Sequence, residues 1–298
     1  PRFLFPYWEK IIRQLAGLGK IGVNHDKSRF PTQRLFCDVL IVGAGASGLS
    51  AAARLLGTGL KVVIADENAE FGGTSSFTGP ENSEERVKIK NLLKQIKTSP
   101  FLLLKSHFAA GFYADKTIPL VGANGIYLVH ANAVIVTTGA YEQPAVFRNN
   151  DLPGIVLSSA VSRLVHRYSV CPFSNALMLA GNKNAYEVAL NLAADGVNIS
   201  TILDLGQPTE RGDLPEKATA AGISIIPNVT SLEAIGGRGK FTELRYRLGK
   251  DIGEKRLSGD GLIMSVGWNP AANLLSQSGS QMVYSDEQGQ LSISKYPE

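Results

Sequence analysis

The chain has 298 residues, 44% hydrophobic and 19% charged, the balance of a soluble globular protein with length for two domains of ordinary size. No run of about 18 apolar residues occurs, so no membrane span is expected; two cysteines, Cys37 and Cys171, are too few for a disulfide framework and lack metal-ligand spacing. The net charge of +4 leans on residues 1–35, with seven Lys and Arg against two Asp and Glu, but these are scattered, which favours a solvated or partner-facing segment over nucleic-acid contact.

Low cysteine usage points to a reducing, cytoplasmic setting. There is no secretory signal, and the chain opens on Pro1 rather than Met, which suggests a piece of something longer. Residues 1–35 read as an aromatic-rich leader with a short helix in "YWEKIIRQLAGLGK". Residues 37–42 predict a strand, 47–58 a helix of small residues and Leu, and 61–65 a second strand, together one βαβ unit. A polar turn at 80–84 precedes "SEERVKIKNLLKQIK", which has helical periodicity. "FLLLKSHFAAGFYA" reads as strand, and "GIYLVHANAVIVTTGA" as a hairpin or strand pair leading to a glycine turn. After the turn signal "NNDLPG", residues 158–168 predict a helix. Residues 175–180, 185–194 and 198–204 then repeat the strand-helix-strand order, and a strand-rich stretch runs on to "GLIMSVGWNP". Strands alternating with helices twice over predict an α/β protein with two doubly wound parallel sheets, one in each of two domains.

The strongest chemical signal is "DVLIVGAGASGLSAAARLLGTGLKVVIADE". Gly43, Gly45 and Gly48 form a G-x-G-x-x-G turn between strand and helix. The first permits the tight turn, the second leaves room for a pyrophosphate, and the third lets the helix pack on the strand. The helix start, with Ala44, Ala46 and Ser47, then presents N–H groups to the anion. Asp66 lies 23 residues beyond Gly43, where a carboxylate can accept hydrogen bonds from ribose hydroxyls; Glu67 is the fallback. An acid at this point favours FAD or NAD over NADP. Two further stretches, "EFGG" with Gly72 and Gly73 followed by Thr74, and "AVIVTTGAYEQP" with Thr138, Gly139 and Ala140, are similar to segments that meet the dinucleotide in two-domain flavoproteins of the glutathione-reductase fold. Ala109 completes the candidate cofactor-binding set. The second unit, "AGNKNAYEVALNLAADGVNIS", has the outline of another nucleotide turn, yet only Gly181 stands where three glycines are needed. Asn182, Lys183 and Asn184 carry side chains that would take the pyrophosphate's place. A rival reading has Lys183 and Asn184 bind a different phosphate ligand.

The stretches "GAYEQPAVFRNNDLPGIVLSSA", "NKNAYEVALNLAADGV" and "VGWNPAANLLSQSGSQMVYSDE" resemble the α subunit of heterotetrameric sarcosine oxidase, and with it the α subunits of dye-linked proline dehydrogenase, opine oxidase and hydrogen cyanide synthase. The likeness runs from about residue 7 to residue 287, and its most specific parts are residues 141–153 and the Gly-Trp-Asn-Pro stretch at 267–270. It implies two Rossmann-like domains of the glutathione-reductase type, the second inserted in the first. Residues 36–150 and 262–298 would form the FAD/NAD-binding domain and 151–261 an insertion with a relic nucleotide loop. It further implies NAD, or FAD in some relatives, in the first site. The small-molecule amine would be oxidised on FAD in a partner β subunit, with FMN shared at the subunit boundary before electrons reach oxygen. No catalytic residue and no metal is then expected in this chain. Consistently, His25, His107, His130 and His166 share no motif with a carboxylate or nucleophile, and no C-x-x-C supports disulfide chemistry. The family's upstream ferredoxin-like domain, closing glycine turn and folate-binding half are not in the sequence, so a fragment or a natural truncation is expected. Two alternatives stay open: a self-sufficient FAD-dependent NAD(P)H reductase, and a non-catalytic scaffold of the same fold.

Overall fold

The structure, a computed structural model, describes residues 4–17, 30–79, 83–286 and 289–296. It divides into Pro1–Pro31 and Thr32–Glu298. The first unit holds α1 (Phe5–Leu15), whose Trp8, Ile12 and Leu15 recur at helical spacing and whose Arg13 and Glu9 pair at 3.1 Å one turn apart. Residues 18–20 of the expected leader helix stretch and 80–82 of the expected polar turn lie outside the described residues.

The second unit begins with a six-stranded sheet. Its strands are β1 (Thr32–Val42), β2 (Val62–Asp66), β3 (Leu102–Lys105), β4 (His107–Ala109), β5 (Thr117–Gly122) and β6 (Gly125–Val136), in the order β3-β2-β1-β6-β5-β4. The four strands β3, β2, β1 and β6 are parallel, and β5 and β4 add an antiparallel edge to the sheet that the sequence predicts to be parallel throughout. The reason is local: only residues 123–124 separate β5 from β6, room for a hairpin but not for a crossover. The stretch expected as a hairpin or strand pair is the single strand β6, held between β1 and β5. Ser106, at φ 54°, breaks the expected long strand into β3 and β4.

Helices α2 (Ala46–Arg54) and α3 (Glu84–Lys97) cover one face, burying Leu49, Ala52, Ile89 and Ile96 against Ile41 and Ile64. The α3 start is set by Ser83, whose hydroxyl accepts the Arg86 N–H, with Glu84 and Glu85 in the first turn and Lys94 and Lys97 in the last, the charge order a helix dipole favours. The opposite face packs Leu40, Val63, Ile118, Leu120 and Leu274.

From this sheet the chain leaves along β7 (Ala140–Glu142). It then forms β8 (Ile155–Leu157), α4 (Ser158–Tyr168), β9 (Ala176–Ala180), α5 (Lys183–Ala194), β10 (Ile199–Asp204), α6 (Leu214–Ala220) and β11 (Ser224–Ile226). An antiparallel meander follows, β12 (Val229–Gly237), β13 (Lys240–Leu248) and β14 (Lys255–Ser258), and then β15 (Gly261–Ser265). The second sheet is parallel, in the order β11-β10-β9-β15-β8. Helices cover one face through Val161, Tyr186, Leu192 and Ala218, and the meander covers the other through Val229, Phe241 and Leu244. The chain returns along β16 (Trp268–Pro270), antiparallel to β7, and ends in α7 (Asn273–Gln277) and the hairpin of β17 (Gln281–Ser285) and β18 (Gln290–Lys295). One boundary shifts. The return expected at residue 262 falls inside β15, which is buried along its whole length between β9 and β8 and so belongs to the second sheet up to Ser265. At the other crossing, Glu142 is buried and ties β7 to the start of α4, accepting the Ser158 hydroxyl at 2.5 Å and the Ser159 N–H at 2.7 Å.

Candidate dinucleotide site

The glycine turn sits where sequence spacing puts it, at the carboxyl end of β1, the central position from which open α/β sheets bind ligands. Gly43 has φ +97°, and a Cβ there would run into the Thr137 carbonyl. A Cβ at Gly48 would run into the Gly43 carbonyl, so this glycine sets how closely α2 approaches β1. Gly45 differs: a Cβ there would meet nothing nearer than the Gly73 Cα at 3.9 Å. Its side faces open space. Gly45 is also the N-cap of α2, and no side chain caps that helix. The first-turn N–H groups of a helix have no intrahelical partner, so this end is prepared for an anion. Thr137, not singled out from the sequence, holds the turn from below, its hydroxyl donating to the carbonyls of Gly43 at 2.7 Å and Val42 at 3.0 Å.

Asp66 is buried at the end of β2, beside the turn. One oxygen, Oδ2, accepts the Ala44 N–H at 2.7 Å; the other, Oδ1, accepts the Asn68 N–H at 2.8 Å and the Asn68 side-chain amide at 2.9 Å. A carboxylate has about four acceptor positions, so Oδ2 keeps capacity for a further donor. Glu67, the fallback, is exposed. Gly72 donates its N–H to the Ala44 carbonyl at 2.8 Å, and a Cβ at Gly73 would come within 2.9 Å of the Gly45 Cα, so the double glycine crosses directly over the turn. Thr74 opens the short turn that follows. Ala46 and Ser47 also line an open cleft of about 350 Å³ between α2 and α3, shared with Glu85, Lys88 and Ile89. The Thr138–Gly139–Ala140 segment is stitched to the returning chain: the Thr138 hydroxyl donates to the Ala271 carbonyl at 2.7 Å, and the Ala271 N–H to the Gly139 carbonyl at 2.9 Å. Ala109, the last residue of β4, is half-buried against the apolar cluster on the face of the sheet opposite α2 and α3. The structure thus brings Gly43 to Gly48, Asp66, Gly72 and Gly73 together.

The second unit can be compared residue by residue, because strand register aligns the two. Val42 pairs with Ala65, which puts Gly43 opposite Asp66; in the second sheet Ala180 pairs with Asp204. Both helices start three residues later, at Ala46 and Lys183. The glycine positions are therefore matched by Ala180, Asn182 and Ala185. This corrects the alignment that starts from Gly181: that glycine instead admits the neighbouring chain, since a Cβ on it would lie 2.6 Å from the Val266 carbonyl. Lys183 is exposed, and the Asn184 side chain accepts the Trp268 indole N–H at 3.3 Å.

This second site is filled by the protein itself. The Asn182 side chain caps α5 by accepting the Ala185 N–H. Asp204, fully buried, accepts from the Tyr186 hydroxyl at 2.8 Å, from Arg211 Nε at 3.1 Å and Nη2 at 2.9 Å, and from the Gly206 N–H at 2.9 Å. Four donors saturate the carboxylate. Arg211 also reaches the Gly181 carbonyl at 3.4 Å. Burial by itself would raise the Asp204 carboxyl, but the hydrogen bonds from Arg211, Gly206 and Tyr186 and the Arg211 charge outweigh it and hold Asp204 below the usual carboxylate range. Hydrogen bonding to Asp204 in turn raises Arg211, and burial followed by Asp204 pushes the Tyr186 hydroxyl far up. Arg211 and Tyr186 carry no sequence signal that marks them as partners of Asp204.

Residues 37–297 match the family described as pyridine nucleotide-disulphide oxidoreductase. The chain belongs to that family. Its fold is an FAD/NAD(P)-binding one, with the second Rossmann-like domain inserted in the first. Within the family the chain is 30% identical to the alpha subunit of sarcosine oxidase from Corynebacterium sp. (strain P-1) over 91% of this chain and 30% of that protein. It is 24% identical to an opine oxidase subunit from Agrobacterium tumefaciens (strain Ach5) over 85% of this chain and 56% of that one. The chain thus spans under a third of the sarcosine oxidase protein it matches. Among solved structures, L-proline dehydrogenase from P. horikoshii superposes with a TM-score of 0.69 at 22% identity, covering 90% of this chain and 49% of that one. Thioredoxin reductase of T. acidophilum does so with 0.68 at 22%, covering 85% and 83%. These likenesses establish the fold. Among the described residues no helix is long and apolar enough to cross a membrane.

Proposed function

We propose that this chain is the dinucleotide-binding, electron-transfer part of a flavin-dependent amine oxidoreductase of the sarcosine oxidase type, the amine being oxidised in a partner subunit. The observation that carries the reading is the contrast between the two units. The first has an uncapped helix end, open space at Gly45 and an acid with acceptor capacity left; the second has a capped helix and a saturated acid. A self-sufficient reductase needs both sites, and this chain offers one. NAD or FAD in the first site fits the acid at Asp66, and the similarity to sarcosine oxidase and opine oxidase subunits supports a flavin-bearing partner subunit, an FMN shared with it and a small amine as substrate.

The bound dinucleotide supplies the redox chemistry. The chain's own part is binding and orientation. The first turn of α2 would hold the pyrophosphate, Asp66 would orient the adenosine ribose, and the Gly45–Gly73 crossing would let the backbone come near the phosphates. Thiol chemistry finds no support: Cys171 is exposed and alone, and burial, aided by Asp38, pushes the Cys37 thiol up to about 11.

The test is the nucleotide content and absorption spectrum of the purified chain and of the complex it forms, followed by titration with NADH. One NAD or FAD per chain supports the proposal. Bleaching of a flavin band by NADH in the isolated chain would favour a self-sufficient reductase, and absence of nucleotide from both chain and complex would favour a non-catalytic scaffold.

A further inference from the structure

The two loops that frame the first site, one after Asp66 and one after the double glycine, belong to the first domain. A side chain from the other domain touches both. Arg167, in the last turn of α4, donates from Nη1 to the Asn68 side-chain carbonyl at 3.1 Å, and its guanidinium lies 4.3 Å from the centroid of the buried Phe77 ring. The planar cation over an aromatic face is a favourable pairing in its own right. Asn68 passes the contact inward: with its carbonyl oxygen turned to Arg167, its amide nitrogen must face Asp66, and it donates to Oδ1 at 2.9 Å. Phe77 follows the short turn in which the Ser76 hydroxyl donates to the Gly73 carbonyl at 2.7 Å. Arg167 therefore closes an arc from the ribose acid to the double glycine.

We propose that Arg167 is a positioning residue for the adenosine ribose: through Asn68 it keeps Asp66 Oδ1 occupied from within the protein and leaves Oδ2 as the oxygen that meets the ligand. The proposal rests on the reading of the first site as a dinucleotide site. Without Arg167 the Asn68 amide is free to rotate, so Oδ1 regains an open acceptor position and the carboxylate is held by the Ala44 and Asn68 backbone N–H groups alone. Preorganisation of this kind appears as affinity only for ligands that use the oriented oxygen.

That condition defines the experiment, done on the full chain. Affinities for ADP and 2′-deoxy-ADP are measured by calorimetry for the wild type, Arg167→Ala and Arg167→Met, the last keeping an apolar stem over Phe77 should the alanine variant fold poorly. In the wild type ADP should bind about tenfold or more tightly than the deoxy compound, the worth of one charge-assisted hydrogen bond. In either variant that ratio should fall about threefold or more, with 2′-deoxy-ADP affinity little changed. Equal losses for both ligands, or a ratio kept in the folded variants, would overturn the role of Arg167. Failure of the wild type to bind ADP would instead sink the dinucleotide reading itself.

Discussion

Replacing Gly45 by Val separates binding from folding. The backbone at Gly45 is extended, φ −75° and ψ −168°, a conformation Val accepts, and the nearest heavy atom to the new Cβ is 3.9 Å away. The fold therefore loses only the difference between Gly and Val at a helix N-cap, about 1 kcal/mol. The ligand loses more. The branched side chain fills the space through which a phosphate reaches the first turn of α2, and giving up two charge-assisted hydrogen bonds costs about 3 kcal/mol or more, a hundredfold or greater weakening. Gly48→Ala should behave in the opposite manner, since its Cβ runs into the Gly43 carbonyl and forces α2 off β1. Calorimetric titration with ADP and NAD, paired with urea unfolding of each variant, reads both effects. Undiminished binding by a folded Gly45→Val protein, or wild-type stability in Gly48→Ala, would refute the placement of the site.

Asp66→Asn should weaken dinucleotide binding by about 1–3 kcal/mol, while Glu67→Gln, at an exposed position, leaves it unchanged; the reverse result would move the ribose contact to Glu67. Arg211→Ala leaves the Asp204 charge buried without its cation and should cost about 3–5 kcal/mol of stability, measured by urea unfolding. Because Asp204 is held below the usual carboxylate range, its contribution is fully present at neutral pH and is lost as pH falls from about 4, the unfolded value, through the depressed folded one. The stability gap between wild type and Asp204→Asn should accordingly be widest at neutral pH and narrow in acid; a gap independent of pH would contradict this. Lys183→Ala, at an exposed position, should leave affinities for NAD, NADH, ADP and FMN unchanged, and a selective loss for any of them would revive a ligand at the second loop. Asn184 is excluded from that test because it accepts the Trp268 N–H.

The first site was legible in the sequence because its determinants are local. Gly43, Gly45 and Gly48 act through the backbone of one strand-helix turn, and the strand and helix lengths of a βαβ unit deliver Asp66 to the same edge. Helix α3 was legible for a similar reason, its cap and its charges lying within its own segment. Register was not legible across the second turn. The sequence shows a lone Gly181, but only the pairing of Ala180 with Asp204 reveals which residues stand at the phosphate positions. Likewise β15 looked like the way back to the first domain until its two neighbours, β9 and β8, placed it in the second sheet.

Amino-acid order by itself thus determined where the glycine turn lies and that an acid ends the strand beside it, because glycine conformational freedom and helix-end chemistry need only adjacent residues. Tertiary structure decided which of the two Rossmann units stays open. Arg211 reaches Asp204 from beyond β10, and Arg167 reaches Asn68 across 99 positions of chain from the other domain. Whether a carboxylate is saturated or still accepting depends on the donors folding brings to it, and no local pattern encodes where a guanidinium on a separate element will come to rest.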